Sequence, residues 1–510
     1  MAADALDTLP EVLAAQARSR GPHPLLICDT ERISYADAEQ RSAVLAGHLI
    51  ALGAGRGTHV GLLYPNGAAF VVGMFAAARI GAVVVPFPTF ATAPELRRQL
   101  AHSDVQILLA AETYRSHDYR RRLSEALSDA DIAGAAPLFS AHTPQLRHVA
   151  FDADAVGIDV PATLKALETD VDGSDPLAIV YTSGSSGAPK GVIHTHAGLL
   201  GHQRNLNELR RLTASDILFC NSPFFWIGGF AFALLATMLA GSTLLCSNAT
   251  DPGATLDLLE VEKPTVTNGF VSGISALAQH PSMARRDLSS LRRGNLYPLM
   301  APETRPTDPE LRHNMLGSTE TGGPVLLSED DTDQPEHRRG SYGRPAPGFE
   351  CRVEAGELLV RGRYLMQRYH KRSQEESFDA DGWLHTGDLV RVDADGFYYY
   401  LGRRDALIKT AGATVSPAEV ERAIAKVTGG TVAHVVAIPD ADRGQLVAAV
   451  LECDTEIDEQ SLRERLKAQL SVYKIPRLFA TMPAAEVPLL SSGKVDRHRL
   501  AQLFSRSSDV

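Results

Sequence analysis

Apolar and polar positions between residues 59 and 110 alternate in the way expected of βαβ units. Short apolar runs end near Gly, Pro or Asp and are separated by longer segments with helical character. The predicted strands are His59–Tyr64, Ala82–Phe87 and Val105–Ala110. Gly67–Ile80 is predicted to be a helix, and a capping-box pair, Thr92 with Glu95, opens a second helix. These βαβ units predict a parallel sheet.

The same alternation begins again after the polar segment 170–175. It predicts the strands Leu177–Tyr181, Ile217–Cys220 and Ser242–Ser247, and the helices His196–Leu212 and Gly228–Ala240. From Arg352 onwards, shorter runs split by Gly and Asp indicate a small antiparallel β region. The predicted fold class is therefore α/β, with a large N-terminal body of two doubly wound sheets plus a small β region.

A chain of 510 residues is too long for one core, because single cores stop growing at about 250–300 residues. The segment Gly402–Lys409 carries four charges in eight residues and precedes a predicted helix, Pro417–Val427. We therefore predict a large domain over residues 1–402 and a small mobile α+β domain over residues 403–510.

Composition excludes several classes of protein. A net charge of −11 without a long basic run argues against nucleic acid as the main partner. Five scattered cysteines without CxxC spacing suggest neither a disulfide framework nor a zinc site. The acidic N-terminal segment does not resemble an export signal, and the longest apolar run, Phe230–Ala240, is about half the length of a membrane helix. A cytoplasmic location is expected.

The strongest local signal is the loop Tyr181–Val192, which follows a predicted strand. Its hydroxyl groups, its glycines and one lysine are suited to converge on a phosphate. These residues are Thr182, Ser183, Gly184, Ser185, Ser186, Gly187 and Lys190. Pro189, five residues after Gly184, stands where a Walker-type loop would have its second glycine, so that class of NTPase is not supported. A flexible Ser/Gly linker is the alternative, but the position between a buried strand and a helix argues against it.

The loop resembles the YTSGTTGxPKGV motif of the adenylate-forming superfamily, which includes acyl-CoA synthetases, luciferases and nonribosomal adenylation domains. Further motifs follow in the same order as in that superfamily, and the resemblance runs from about Pro10 to Leu500. They are Gly317–Glu320, Trp383–Leu389, Leu401–Lys409, Gly412–Glu421 and Pro488–Arg497.

The resemblance implies a role for one or more residues of each motif. Thr319 would contact phosphate and Glu320 would help to hold Mg²⁺, while Asp388 would accept hydrogen bonds from the ribose hydroxyls. Arg403 would reach the ribose or phosphate, and Asp405 would be the hinge. Further implied residues are Gly412, in the loop for the second half-reaction, and Lys494, which would bridge the acid and the α-phosphate. His194 and His196 flank the phosphate loop, but neither is expected to act as a base.

The sequence departs from the family pattern around the expected acid pocket. Phe225, Trp226 and Gly228 lie in a segment where many acyl-CoA synthetases have an aromatic–His pair. Leu316 replaces the usual adenine-stacking Tyr, which would remove a stacking contribution of about 1–3 kcal/mol. Asn295 and Tyr297 add polar groups. Trp226, at the position of that histidine, would narrow the acid pocket or its entrance, which favours a compact or aromatic acid over a long aliphatic one.

The resemblance implies an ATP-dependent, AMP-forming ligase that uses Mg²⁺, forms an acyl-adenylate and transfers the acyl group to coenzyme A. A second hypothesis keeps adenylation but changes the acceptor to a carrier-protein thiol or an amine. The same hypothesis includes an enzyme that activates nitrite in order to diazotise an aromatic amine. A third hypothesis, a non-catalytic nucleotide-binding protein, is disfavoured because Lys190, Thr319, Glu320, Asp388 and Lys494 are all present. The sequence identifies neither the acid nor the oligomeric state, and a monomer and a homodimer both remain open.

Overall fold

The computed structural model describes residues 6–132, 136–152, 162–182, 190–269, 274–404, 406–410, 413–440, 443–455, 457–470, 472–490 and 493–505. The chain divides into two compact units. Unit 1 comprises residues 1–350 and 361–383, and unit 2 comprises residues 351–360 and 384–510. The predicted domain boundary at residue 403 marks the point about which the small domain would move, and it stays a prediction.

The helices of the described residues are short to medium in length. They are α1 Leu9–Arg20, α2 Tyr35–Ala51, α3 Ala68–Arg79, α4 Ala93–Ser103, α5 Tyr119–Ala126, α6 Leu164–Asp170, α7 His196–Leu209, α8 Ile227–Gly229, α9 Ala236–Ala240, α10 Pro252–Glu262, α11 Ser275–Ala278, α12 Pro417–Thr428, α13 Glu459–Lys467 and α14 Arg497–Ser505. A π-helix, Phe230–Leu235, joins α8 to α9. None of these helices is long and apolar enough to span a membrane, in the part of the chain that was described above.

The strands of the same residues form several sheets. They are β1 Pro24–Cys28, β2 Glu31–Ser34, β3 His59–Leu63, β4 Val83–Pro86, β5 Ile107–Ala110, β6 Thr113–Tyr114, β7 His117–Asp118, β8 His148–Phe151, β9 Pro176–Thr182, β10 Lys190–Thr195, β11 Ile217–Cys220, β12 Thr243–Cys246, β13 Val266–Asn268, β14 Arg293–Gly294, β15 Leu316–Ser318, β16 Gly323–Leu327, β17 Arg344–Pro345, β18 Phe349–Glu354, β19 Glu357–Gly362, β20 Arg368–Tyr369, β21 Leu384–Val392, β22 Tyr398–Arg403, β23 Ile408–Thr410, β24 Ala413–Val415, β25 Ala433–Asp440, β26 Gly444–Glu452 and β27 Leu478–Met482.

Two large sheets form the body of unit 1, as the sequence predicted. One has the order β20-β10-β9-β4-β3-β5-β8, with five neighbouring parallel strands and an antiparallel pair of strands at one edge. The other has the order β14-β13-β11-β12-β1-β2 and is parallel except for its last strand. Both faces of such sheets are covered, which explains why β4 and β5 are apolar and buried throughout.

Two strands belong to sheets that the order of elements along the chain did not indicate. The predicted strand at residue 177 is β9, and it joins the first sheet by parallel pairing of Ala178 with Val84 instead of opening the second. The second sheet instead takes β1 from the N-terminal end of the chain, with Leu26 beside Leu244. The alternation of apolar and polar residues indicates that a strand exists. Contacts between distant segments determine which strands lie beside it.

The predicted helix Gly228–Ala240 is also modified. The structure divides it into α8, the π-helix and α9, and every residue of the π-helix is buried. Single-turn π segments inside α-helices often occur at functional sites. The apolar composition predicted the burial of this segment but contained no signal for the wider helical turn.

Unit 2 contains a smaller set of sheets and helices. Strands β21 and β22 pair antiparallel, and β24-β23-β26-β25 forms a further sheet to which β27 adds a parallel strand. Helix α12 buries Val420, Ala423 and Ile424, which share one helical face, and ends at Gly429 with φ +79°. The predicted α+β character of the C-terminal part is therefore observed.

Candidate active site

The phosphate loop joins two strands of the larger sheet of unit 1. Residues 183–189, including the predicted Ser183, Gly184, Ser185, Ser186 and Gly187, lie outside the described residues. Their two flanks are paired, because Thr182 at the end of β9 lies opposite Lys190 at the start of β10. Strand β10 follows the loop, and α7 then begins at His196, where the sequence predicted a helix to begin.

Tyr369 connects two residues that the sequence had assigned to separate motifs. The Lys190 Nζ lies 5.2 Å from the centre of the Tyr369 ring. The Tyr369 hydroxyl donates a 2.8 Å hydrogen bond to Oε1 of Glu320. A cation over an aromatic face is attracted electrostatically, so the ring holds the ammonium while the hydroxyl orients the carboxylate. The phosphate-loop lysine and the predicted magnesium ligand therefore belong to one site.

Sequence reasoning missed Tyr369. It lies in the short strand β20, where it pairs with Val192 of β10, and only 9% of it is exposed. The contact with Glu320 spans 49 residues, so no local spacing could have revealed it. Its position beside the phosphate loop follows only from the addition of β20 to the sheet edge.

Buried donors fix the backbone of the turn 319–324, which carries the predicted Thr319 and Glu320. Nε2 of His194, Nε2 of His202 and Nε2 of Gln203 donate to carbonyls of this turn at 2.7, 3.0 and 2.8 Å. The Met366 amide donates to a fourth carbonyl, that of Glu320, at 2.8 Å. Because these hydrogen bonds hold the main chain of the turn, the side chains of Thr319 and Glu320 extend from fixed backbone positions.

Burial keeps the histidines of this region neutral. It lowers the pKa of His194 to about 4 and that of His202 to about 3. His196 is similar: burial lowers its pKa to about 4, and its Nδ1 accepts a 3.0 Å hydrogen bond from the Leu9 amide. These side chains support the fold around the site, and the expectation that no histidine acts as the base stays a prediction.

The residues at the site fit a magnesium ion bound together with a polyphosphate. Mg²⁺ is usually held by one or two carboxylates plus substrate phosphates. Glu320 is such a carboxylate, half-buried and oriented by Tyr369. Among the described residues no group of three His, Cys, Asp or Glu side chains could hold a metal alone. A protein site with a single oriented carboxylate therefore requires the nucleotide to complete the coordination.

The expected acid pocket lies at one edge of the second sheet. Parallel strands β11, β13 and β14 end there, and the residues that follow them are in contact. The Asn295 Oδ1 accepts a 3.1 Å hydrogen bond from the Gly269 amide, and its Nδ2 donates to the Gly269 carbonyl. A Cβ on Gly269 would lie 1.7 Å from Oδ1 of Asn221, so the Asn221 side chain would have to move to admit one. The side-chain amide of Asn295 thus links the segment that follows β14 to the segment that follows β13.

Aromatic side chains form the neighbouring part of the pocket region. Phe225 is buried and packs edge-to-face on Phe90, with ring centres 6.0 Å apart. Trp226 is half-buried, contacts Phe225 edge-to-face at 5.9 Å and immediately precedes α8. Gly228 lies in that short helix, and a Cβ there would be 3.6 Å from Oγ of Ser222. The proposed narrowing of the pocket by Trp226 stays a prediction.

Tyr297 and Leu316 occupy different elements of unit 1. Tyr297 begins a 3₁₀ turn after β14, is half-buried, and packs against an apolar cluster that raises the pKa of its phenol by burial. Leu316 begins β15, is half-buried and pairs with Leu326 of β16. The next residue, Gly317, approaches the Gly323 carbonyl so closely that a Cβ would lie 2.3 Å from its oxygen.

In unit 2, the two predicted ribose-binding residues are cross-strand neighbours. Asp388 of β21 is paired in register with Arg403 of β22, and Nη1 of Arg403 lies 3.3 Å from Oδ1 of Asp388. The same Nη1 donates a 2.9 Å hydrogen bond to the Thr386 carbonyl. The carboxylate side chain is 12% exposed and the guanidinium side chain 44% exposed. An oriented carboxylate beside a partly exposed cation is suited to a vicinal diol.

Glu357 is a second residue that sequence reasoning missed. Its buried carboxylate accepts a 2.8 Å hydrogen bond from the Gly387 amide and forms ion pairs with Arg404 at 3.0 Å and His385 at 3.3 Å. Gly387 has φ +72°, a value that favours glycine. The turn that precedes Asp388 is therefore held by a carboxylate from the neighbouring strand.

Lys494 lies on a tight turn close to the C-terminal end of unit 2. The Leu490 amide donates 2.7 Å to the Lys494 carbonyl, and Leu489 forms an isolated bridge with Val495. Gly493 has φ +74°, and Lys494 itself is exposed. The predicted Asp405 and Gly412 lie outside the described residues, so the hinge and the second half-reaction loop stay predictions.

Comparison with known proteins gives a consistent result. The profile of a family described as "AMP-binding enzyme" matches residues 13–370. A feruloyl-CoA synthase from Amycolatopsis sp is 30% identical over 92% of this chain and 94% of its own. The crystal structure of the anthranilate CoA ligase AuaEII with anthranoyl-AMP matches with a TM-score of 0.80, 21% identity and 98% coverage of both chains. The MenE o-succinylbenzoate CoA synthetase from Bacillus subtilis, in complex with ATP and magnesium, matches with a TM-score of 0.76, 23% identity and 96% and 98% coverage.

Proposed function

This chain belongs to the AMP-binding enzyme family and is an AMP-forming acid–CoA ligase, and from that premise we propose that its acid is compact or aromatic. The reaction has two steps. The carboxylate of the acid attacks the α-phosphorus of ATP, which forms an acyl-adenylate and releases pyrophosphate. The thiol of coenzyme A then attacks the acyl carbon, which forms the thioester and releases AMP.

The observation that supports adenylation at this site is the contact of Tyr369 with both Lys190 and Glu320. It supports a site in which a cation and an oriented carboxylate act on one polyphosphate. Lys190 would bind phosphate oxygens, while Glu320 would hold Mg²⁺. When bound, Mg²⁺ neutralises polyphosphate charge and stabilises the charge that develops on pyrophosphate. Preorganised groups of this kind stabilise the transition state more than the bound substrates.

We propose the remaining roles on the basis of the motifs. Asp388 would accept hydrogen bonds from the ribose, and Arg403 would contact the ribose or phosphate. Lys494 would meet the acid and the α-phosphate during adenylation, with Asp405 as the hinge. Gly412 would belong to the loop used in the second step. The register of Asp388 with Arg403 supports the first two roles.

Two features support a compact or aromatic acid. Phe225 and Trp226 form an edge-to-face pair at the start of α8, in the region of the expected pocket. Two proteins that resemble this chain are named for aromatic acids, namely feruloyl-CoA synthase and the anthranilate CoA ligase. Flat aromatic rings pack well against such side chains.

The test is a panel of acids assayed with ATP and Mg²⁺ for pyrophosphate release, and then with coenzyme A for thioester formation. We expect release that depends on a small aromatic acid, followed by formation of its thioester. Release that occurs only with long-chain acids would contradict the proposed substrate class. AMP formation without a thioester would identify a different acceptor, and carrier-protein thiols, amines, and nitrite with an aminoarene would be the next substrates assayed.

We also propose a cytoplasmic location. It is supported by the five cysteines, all within the described residues, which are free thiols. A reducing compartment keeps thiols in this state. Fractionation of cells that express the full chain, with detection in the soluble cytoplasmic fraction, would test it.

A further inference from the structure

A cavity of about 130 Å³ adjoins the expected acid pocket in unit 1. Asn295 and Tyr297, which the sequence assigned to the pocket, form part of its wall. Phe232 of the π-helix, Asn268 at the end of β13 and Arg210 at the end of α7 form further parts. The wall therefore combines residues of the expected pocket with polar side chains that the adenylation mechanism does not use.

Arg210 contributes a buried positive charge to this wall. Its guanidinium carbon lies 4.0 Å from the centre of the Phe232 ring, and Nη2 donates to the Phe232 carbonyl at 2.9 Å and to Oδ1 of Asn207 at 3.0 Å. Its Nε is buried without a hydrogen-bond partner. Burial lowers the pKa of Arg210 to about 9, so it remains charged at neutral pH. Within the part of the chain described above, no carboxylate forms an ion pair with it.

Asn268 contributes a second donor without a partner. It is 6% exposed, and its Nδ2 is buried and forms no hydrogen bond. Asn295 differs, because both polar atoms of its amide contact Gly269. A buried donor left unpaired costs about 1–3 kcal/mol, and an unpaired charge costs more. An oxygen ligand with a negative charge would relieve both costs.

The cavity wall also carries other charged groups, of which Arg211, Glu329, Asp330 and Asp331 are exposed to solvent, whereas others have protein partners. Arg293 lies 3.7 Å from a carboxylate oxygen of Asp216, and Arg312 lies 2.5 Å from one of Asp333. On the acidic side, Asp330 accepts hydrogen bonds from the Thr332 amide and hydroxyl and from Nε2 of Gln334. These partners reduce the field of each group in the cavity, which leaves Arg210 as the charge that most needs a counter-ion.

We propose that this cavity is the distal part of the acid pocket and that Arg210 and Asn268 bind a second carboxylate of the acid substrate. The substrate class is then a compact dicarboxylic acid, of which one carboxylate is activated and the other is held in the cavity. The inference rests on the proposed function, because it takes the site to activate an acid. The Nε–H of Arg210, which is buried without a partner, would donate to this carboxylate, and the Asn268 amide adds another donor.

The experiment compares acids that differ only by replacement of a methyl group with a carboxylate. The pairs are terephthalate with para-toluate, isophthalate with meta-toluate, phthalate with ortho-toluate, and glutarate with pentanoate. Acid-dependent pyrophosphate release gives kcat/KM for each acid. We expect at least one dicarboxylate to exceed its partner about 10-fold or more, the effect of one charged hydrogen bond.

Arg210→Gln should abolish that preference, while kcat/KM for the matched monoacid should change less than about 3-fold. Arg210→Lys should keep part of the preference, since it retains the charge and loses the Nε donor. Asn268→Leu should lower the preference for the dicarboxylate and change kcat/KM for the matched monoacid little. Arg98→Gln is the matched control, because it removes the same charge from an exposed residue of α4 that is not part of the cavity wall. Thermal unfolding of each variant shows whether a loss of activity is a loss of fold.

The outcomes separate the inference from the proposed function. Turnover of monoacids that equals or exceeds that of dicarboxylates in every pair overturns the inference and leaves acid activation intact. A preference that survives Arg210→Gln in a folded protein also overturns it. Lack of pyrophosphate release with every acid, in a folded protein that binds ATP, contradicts the proposed function itself and removes the basis of the inference.

Discussion

The Tyr369 hydroxyl donates a 2.8 Å hydrogen bond to Oε1 of Glu320. This contact joins the edge strand β20 to the motif expected to hold Mg²⁺, and the Tyr369 ring also lies under the ammonium of Lys190. A single side chain therefore couples the two predicted phosphate- and metal-binding positions. Several consequences can be measured.

Tyr369→Phe keeps the ring under Lys190 and removes the hydrogen bond to Glu320. A hydrogen bond to a charged group contributes about 1.5–3 kcal/mol, so we expect kcat/KM for ATP to fall about 10-fold or more. The Mg²⁺ concentration needed for half-maximal rate should rise, because the carboxylate is less well oriented. Pyrophosphate release measured across a range of Mg²⁺ concentrations tests this.

Tyr399→Phe is the matched control for that variant. The Tyr399 hydroxyl donates a 2.9 Å hydrogen bond to Oδ2 of Asp393 in unit 2, and neither residue is among those assigned to ATP or Mg²⁺. It removes the same kind of contact and should leave the Mg²⁺ dependence unchanged. Equal Mg²⁺ profiles for wild type and Tyr369→Phe would exclude a role for Tyr369 in orienting Glu320.

Lys494→Ala should separate the two half-reactions. Removal of one preorganised charge commonly lowers a rate about 10²- to 10³-fold, and we expect this loss in acid-dependent pyrophosphate release. Thioester formation from a supplied acyl-adenylate should change much less, because that step does not require bridging of the acid and the α-phosphate. Rapid-quench measurement of each step provides the comparison.

Lys467→Ala provides the control, since this exposed lysine of α13 forms an ion pair with Glu464 within its own helix. It should retain both half-reactions. A Lys494→Ala protein that loses both steps to the same extent would contradict the assignment of Lys494 to adenylation.

Buried histidines should make the protein less stable at acid pH. Burial lowers the pKa of His202 to about 3, compared with an unfolded value of 6.5. Below pH 6.5 the unfolded chain binds a proton that the folded chain excludes, so stability falls as the pH decreases from about 6.5 towards 3. The free energy of unfolding from urea titrations at pH 7.5 and pH 5 measures the loss.

His202→Gln identifies the share of that loss that belongs to one side chain. It should lower stability at pH 7.5, where the hydrogen bond to the Pro324 carbonyl is lost, and should reduce the further loss at pH 5 by about 1–2 kcal/mol. His498→Gln, an exposed histidine on α14, is the control. An identical pH dependence in wild type and His202→Gln would refute a neutral, buried His202.

Gly269→Ala should disturb the junction of the pocket loops. A Cβ at this position would lie 1.7 Å from Oδ1 of Asn221, so the backbone or the amide must move. We expect a stability loss of about 1–3 kcal/mol and a raised KM for the acid. Gly55→Ala is the control, because nothing lies within 4 Å of the added carbon. Equal KM values for the acid in both variants would argue that this junction does not shape the pocket.

The predictions from local pattern were accurate where local physics decides. Apolar runs fixed β3, β4 and β5 to within one or two residues, and the Thr92–Glu95 capping box begins α4 as predicted. Such features depend on neighbours three or four residues apart. The order of motifs identified the family and the chemistry, because the side chains of each motif lie close together in the chain.

The sequence by itself determined the alternating strands and helices, the motif residues and the class of reaction. Tertiary structure alone decided that β9 joins the first sheet, that Tyr369 connects Lys190 with Glu320, and that Arg210 is buried without a carboxylate. The physical reason is separation along the chain. A pairing between strands, a cation over a ring and the burial of a charge all depend on segments that are distant in sequence and meet only on folding.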